Sequence, residues 1–512
     1  MHLARIEAAG NTQSRPRRSP LRFVVQAFAP QTLANQTIRA ALSVALLTLV
    51  AGCGNNYRPV ISAINPVGPA AQPQKFAIAI SAPSTTAPGL VTFVDFSGDS
   101  ILITANVGVD PYYLILNGGG TTAYTLNHDG TLTSFGISTA LLSSQILQTT
   151  LLNSNNVLPA SIFPQGTFTY VTQPGSNPGG PVTTPPLGRN SIAEFASSPL
   201  SLQQELPISP AFSPIYVAGV PSASRSFAIS QAVNGGPGQV ATIENTASPT
   251  IDPNPIQVGV GPVYGVETAD ARRVFIMNQT DGTVSVINTQ TNALDIVPTG
   301  ATNPIAVCTS PVCTNPAIAN PLWADFAPTR NELVVANAGD GVNPGWISII
   351  NIPLCSATAQ ITNPNCDLNN PVDAAGFGTV LATVPVGVNP RMVGVLQDGT
   401  QAYVVNGGNA TQPCGPVSTL QPTGNCTVSV ISLTTNTVIA TIPLVTTPVT
   451  PTTLLNNGHP NYIAVTTGAP TGKVYVTSPE SEFMTVIRTD TNTIDTIVPL
   501  QGFGVSVRVT AP

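Results

Sequence analysis

The run from Arg272 to Pro304, RRVFIMNQTDGTVSVINTQTNALDIVPTGATNP, sets a pattern that most of the chain repeats. Two short apolar bursts, VFIMN (274–278) and TVSVIN (283–288), flank Asp281-Gly282. A weaker burst follows an Asn/Thr turn, and a Gly-x-x-x-Pro exit ends the unit. β-Branched and aromatic runs of this length, separated by Asp-Gly or Asn-rich punctuation, predict strands joined by tight hairpins. The same order recurs from about residue 76 to the C-terminus. A repeat of this length holding four short strands predicts the blade of a β-propeller.

In chain order the first full unit starts at Pro111 and turns at Asp129-Gly130, and the next carries TFTYVTQ from Thr167 and NSIAEFASS from Asn190. Further units start at Pro214, Pro262, Pro321 and Arg391, and a last one at Asn461. Before Pro111 lie only three strands, from Phe76, Leu90 and Ser100, and after Leu500 comes one more, Gly504 to Val509. An open sheet edge would leave a row of amides unpaired. The final strand is therefore expected to complete the first blade from the inside. The expectation is an all-β chain: a single β-propeller of eight four-stranded blades, or seven if a unit between 111 and 214 is miscounted.

Composition narrows the class. Hydrophobic residues are 42% and charged residues 8%, with 50 Pro and 43 Gly, which suits many strands and many turns. Disorder is the competing reading of so much Pro and Gly, but regular Val/Ile runs can bury surface that a disordered tract lacks. Net charge is −6 and Lys occurs only at Lys75 and Lys473, so binding by phosphate neutralisation, and hence nucleic acid, is not expected.

The N-terminus carries an address. Arg5, Arg15, Arg17, Arg18, Arg22 and Arg39 precede an apolar run from Ala40 to Val50, followed by Ala51-Gly52-Cys53-Gly54. A basic region, a short apolar core and small residues at a cleavage point predict a signal peptide over 1–52. The apolar run is shorter than the roughly 20 residues an ordinary spanning helix needs. Leu49-Val-Ala-Gly-Cys53 resembles a bacterial lipobox. That resemblance implies lipidation at Cys53, attachment to a membrane through the lipid and, with Gly54 rather than Asp next, sorting to the outer membrane. Residues 53–75 then form a Pro/Ala-rich tether and 76–512 the propeller.

Six further cysteines fall in sequence-adjacent pairs, Cys308 with Cys313, Cys355 with Cys366 and Cys414 with Cys426, each between predicted strands. In an oxidising compartment these read as three local disulfides, each contributing about 2–3 kcal/mol through chain entropy. Zinc is the alternative, but paired CxxC spacings and clustered His are both lacking.

The motifs VFIMN (274–278), YVVN (403–406) and VYVTS (474–478), each followed by a V-S-V-I or T-V-I strand, resemble the YVTN-repeat β-propellers. The match covers the C-terminal half well and is weak from 76 to 260. It implies a β-propeller, with seven the commoner blade number among such proteins.

No nucleophile-elbow motif, no His cluster and no phosphate-binding Gly loop opening a helix is found, so no catalytic residue, metal ligand or cofactor is assigned. Four of the five long insertions (174–189, 304–320, 407–425 and 445–460) map to one rim, and 356–376 to the other. Loops on a rigid scaffold commonly carry recognition. Residues on the inner strands that are candidates to line the channel or rim are Tyr112, Tyr216, Tyr264, Trp323, Asp325, Arg391 and Tyr462. Asp325 and Arg391 stand out as charges on otherwise apolar strands, expected to pair with one another or to face solvent. The reading is a lipid-anchored binding or scaffold module for a protein, glycan or small ligand. The alternatives are a propeller lactonase, hydrolase or oxidoreductase, and a structural surface or adhesion protein.

Overall fold

The computed structural model describes residues 75–137, 148–151, 158–174, 190–198, 200–295, 303–308, 313, 318–353, 376–409, 426–444, 458–466 and 471–510. Residues 72–512 belong to one compact unit. Its strands, thirty-four in all among the described residues, build eight separate antiparallel sheets. These are the eight blades of a β-propeller.

In blades 2 to 8 the strands follow chain order from the channel outward. Their inner strands are Pro111–Leu116, Ile162–Pro164, Phe212–Gly219, Pro262–Glu267, Pro321–Ala327, Pro390–Val395 and Tyr462–Thr466. Blade 1 is shared between the two ends of the chain. Phe76–Ala82, Pro88–Asp95 and Ile101–Val109 supply its outer strands, and Phe503–Val509 pairs with Phe76–Ala82 as the innermost strand. The register sets Ala77 against Val509 and Ala82 against Phe503. This closure leaves no gap in the ring, as the two incomplete ends of the sequence require. Lys473 of blade 8 braces the seam, its ammonium 2.6 Å from both the Asp99 carboxylate and the Phe96 carbonyl of blade 1.

The repeat has a physical origin in the hairpin between the second and third strands. Asn278 ends the second strand of blade 5, and its buried amide donates to Thr283 Oγ1 at 3.0 Å and Ser285 Oγ at 2.9 Å on the third. Asn127 binds Thr131 and Thr133 in the same way, Asn406 binds Thr427 and Ser429, and Asn337 binds Ser348. In the turn, Asp281 accepts from Thr283 Oγ1 and, at 2.8 Å, from the Val260 N–H on the approach to the inner strand. Asp129 repeats this with Thr131 and Val109. These Asp-Gly pairs thus serve as turn residues and also tie each hairpin to the neighbouring connection. The residue before the inner-strand proline is left-handed, with φ of 49° at Asp110, 64° at Gly261, and 55° at Asn320 and Asn389. Gly, Asn and Asp tolerate that conformation, which explains the recurrent Gly/Asn/Asp-Pro exit.

Apolar side chains fill the spaces between blades. Between blades 5 and 6 the core joins Phe275, Met277, Leu333, Val335 and Trp346. Blade 3 departs from expectation. Its inner strand, 162–164, and its outermost strand, Leu200–Pro207, lie beyond the two strands that the pattern marks from 167 and 190. Cys308 and Cys313 form a disulfide with Cα atoms 5.2 Å apart. Cys426 is also disulfide-bonded. Cys53, Cys355, Cys366 and Cys414 lie outside the described residues, as does the whole of 1–53, on which the expected signal peptide and lipobox-like stretch fall.

Candidate functional site: an aromatic collar in the channel

The inner strands share an irregularity that sets up the channel. In blade 5, Pro262 pairs with Asn278, one residue is skipped, and Tyr264 pairs with Met277. The same bulge recurs between Pro111 and Tyr113, Pro214 and Tyr216, Pro321 and Trp323, and Pro390 and Met392. A bulge inserts an extra residue and re-aims those that follow. The residue after it therefore falls at one level of the channel in every such blade. That level holds Tyr113, Tyr216, Tyr264, Trp323 and Met392. Tyr462, opposite Thr477, joins them from blade 8, and Ser506, opposite Ile80, from blade 1.

The rings touch. Tyr264 stacks on Trp323 with centroids 3.9 Å apart and an interplanar angle of 21°, and Tyr216 lies 4.9 Å from Tyr264 on the other side. The hydroxyl of Tyr113 interacts with that of Tyr216, and Tyr216 in turn with Tyr264. Burial pushes the hydroxyl pKa values of Tyr113, Tyr216, Tyr264 and Tyr462 upward, so all four stay protonated. The Arg508 guanidinium acts on all four in the opposite sense and sits 5.7 Å from the Tyr462 ring centroid.

Two residues further along each inner strand lies a second level. Blades 2, 4, 5, 7 and 8 place Ile115, Ala218, Val266, Gly394 and Ala464 there. Blades 6 and 1 place Asp325 and Arg508, opposite Val334 and Ile78. Opposite charges thus occupy a level that is otherwise small or apolar. Asp325 spans to the next blade, accepting from the Val395 N–H at 2.8 Å and from the Phe326 N–H at 2.9 Å. Burial raises its carboxyl to about 6, with those two amides pulling the other way. At the end of the blade 5 inner strand, burial raises Glu267 to about 8, opposed by the Val220 N–H and reinforced by nearby Asp270. Its Oε2 has no hydrogen-bond partner.

Tyr216, Tyr264, Trp323 and Tyr462 gather at the collar, with Asp325 one level deeper. Tyr112 and Arg391 do not join it, because each is the extra residue of its bulge. Tyr112 donates to the Pro159 carbonyl at 2.5 Å and packs 4.5 Å from the His128 ring. Arg391 is exposed, lies beside Gly407 and forms no pair with Asp325. Tyr113 and Arg508 belong to the site but escape a reading of single strands. Counting Pro-x-aromatic across units identifies Tyr113, whereas Arg508 becomes visible only once the closing strand is set in register with the others.

Each described histidine has a carboxylate. His128 Nδ1 is 2.9 Å from Asp110 Oδ2, and His459 Nδ1 is 2.6 Å from Glu480 Oε2. His459 Nε2 also contacts the Asn409 carbonyl at 3.3 Å, so both ring nitrogens are engaged and the side chain braces two loops. A cleft of about 260 Å³, lined by Thr268, Asp270, Phe326, Pro328 and Asn331, lies between blades 5 and 6. Segments 175–189 and 410–425 follow second strands, and 309–317 and 445–457 lead into inner strands. The strand ends flanking them lie at the end of the ring where the collar sits. Most of the insertions themselves lie outside the described residues.

No protein-family model and no curated protein sequence matches the chain. Solved structures share its fold. The apo structure of AztD from Citrobacter koseri aligns with a TM-score of 0.52 at 11% identity, over 85% of this chain and 97% of that one. Dihydro-heme d1 dehydrogenase NirN, solved in complex with DHE, aligns with a TM-score of 0.53 at 11% identity, over 85% of this chain and 75% of its own. At that identity the likeness is one of fold alone: the chain is an eight-bladed β-propeller similar in architecture to both.

Proposed function

We propose that this protein is a lipid-anchored extracytoplasmic propeller of the YVTN-repeat kind that binds a ligand at the collar end of its channel. The observation carrying the reading is the collar itself: aromatic residues at one level in five blades, four of them set there by a bulge, at the mouth of a rigid ring. Ligand sites are commonly concave, mostly apolar and set with a few convergent polar groups. Here the rings supply the apolar wall, and the Tyr hydroxyls with Arg508 supply the polar groups. Pairwise Cys placement and the sparse charge support an exported location, and the lipobox-like LVAGC at 49–53 supports the anchor at Cys53.

Two experiments test this. A thermal-shift screen of the full chain against small molecules and oligosaccharides should give hits that Trp323→Ala abolishes while the unliganded protein stays folded. Hits that survive the substitution would move the site away from the channel. Labelling with a fatty-acid probe should mark the protein and disappear in Cys53→Ala, and labelling that persists in the variant would remove the anchor at this residue.

A further inference from the structure

We infer that the channel ligand is a planar ring bearing a carboxylate, with Arg508 as its counter-charge; this rests on the channel reading above and specifies its chemistry. Arg225, Arg272, Arg273, Arg330 and Arg488 each lie within ion-pair distance of a carboxylate. Arg508 pairs with no carboxylate among the described residues. Its one hydrogen bond there is long, 3.4 Å, to the carbonyl of its own neighbour Val507. A guanidinium carries five N–H donors in a fixed fork that matches a carboxylate. Half-buried and without a counter-ion, such a group is costly to keep unless it meets an anion.

The surroundings favour one kind of anion. Arg508 lies 5.7 Å from the Tyr462 ring, and its charge acts on Tyr113, Tyr216, Tyr264 and Tyr462. The first three hydroxyls bond in a chain, so the protonated hydroxyl at the end of that chain and that of Tyr462 can donate to an oxyanion. Trp323 stacks on Tyr264 at the same level, so a ligand ring would extend that stack from the outer face of Trp323. Flat rings prefer such faces in offset or edge contacts. Asp325 is held by two backbone N–H groups on blades 6 and 7 and repels an anion from that side. The carboxylate is thereby directed to the Arg508 side and the ring toward Trp323.

Trp323 and Trp346 are the chain's two tryptophans, so Trp346→Phe leaves Trp323 as sole reporter. In the full chain carrying that change, benzoate should alter the emission saturably. Benzamide, which keeps the ring without the charge, and acetate, which keeps the charge without the ring, should each bind at least tenfold more weakly. Adding Arg508→Gln should weaken benzoate tenfold or more and leave benzamide unaffected. Should that variant fail to fold, Arg508→Lys should retain a reduced preference for benzoate over benzamide. Benzamide binding as tightly as benzoate, or a folded Arg508→Gln variant that binds benzoate undiminished, would overturn the carboxylate while leaving the channel site standing. If no ring compound changes Trp323 emission, both the carboxylate and the channel site fall.

Discussion

Blades 4 and 5 are neighbours built on one plan, yet only blade 5 reads clearly as a repeat. Its second strand ends in Asn278, bonded to Thr283 and Ser285. At the same register blade 4 has Ser230, paired with Gln239, and two residues further into the third strand Ala241 stands where blade 5 has Ser285; the Ser230 hydroxyl is buried without a partner. Blade 4 still carries Tyr216 at the collar, directly after its bulge. The polar positions that make the repeat recognisable are hairpin anchors that individual blades can lose. The collar aromatic follows a separate constraint and persists in a blade whose anchor is gone. Fold and candidate site are therefore written at different positions of the same unit.

The largest expected effect concerns what both blades depend on, the closed ring. Removing residues 503–512 takes the inner strand from blade 1 and exposes the edge of Phe76–Ala82, together with a buried row that includes Ile78 and Ile80. Loss of cooperative melting is expected, and a truncated chain that melts like the whole one would refute closure. Asn278→Ala should cost about 1–3 kcal/mol, since it removes two buried hydrogen bonds between the second and third strands, whereas Ser230→Ala should stay within about 0.5 kcal/mol. Equal losses in chemical denaturation would erase the distinction between the two blades.

A smaller, pH-dependent effect is expected at Glu267, where blade 5 meets the Val220 N–H of blade 4. Its folded pKa of about 8 lies above the ordinary 4.5, so its proton is held more tightly in the folded state. The resulting stabilisation is fully present below 4.5 and is lost as pH rises through about 8. Glu267→Gln should therefore gain in melting temperature relative to the parent on going from about pH 5 to about pH 9. A constant difference across that range would place the charge elsewhere. Smaller still, Tyr216→Phe, which removes the hydroxyl bonded to Tyr113 and Tyr264, should cost about 1 kcal/mol in chemical denaturation and weaken a ligand held through that hydroxyl chain.

Strand alternation, the Asp-Gly turns and the two incomplete ends carried enough information for eight blades and their closure. Blade 3 was half hidden because its inner strand is only Ile162–Pro164 and its hairpin lacks the Asn anchor, with Gln173 at that register. The site was partly legible: aromatics on inner strands stand out, but which of two adjacent residues faces the channel depends on the bulge. A single skipped pairing separates Tyr112 from Tyr113, and it places Arg391 on the exposed side next to Met392. Arg508 was harder still, because its importance comes from lying at the same level as Asp325, nearly two hundred residues away in sequence.

The most direct test of the channel as the site is amide hydrogen exchange with and without a ligand selected by thermal shift. Protection is expected in peptides covering the inner strands at 111–116, 212–219, 262–267, 321–327, 462–466 and 503–509. Protection confined to the rim insertions at 175–189 and 410–425, with those strands unchanged, would contradict it.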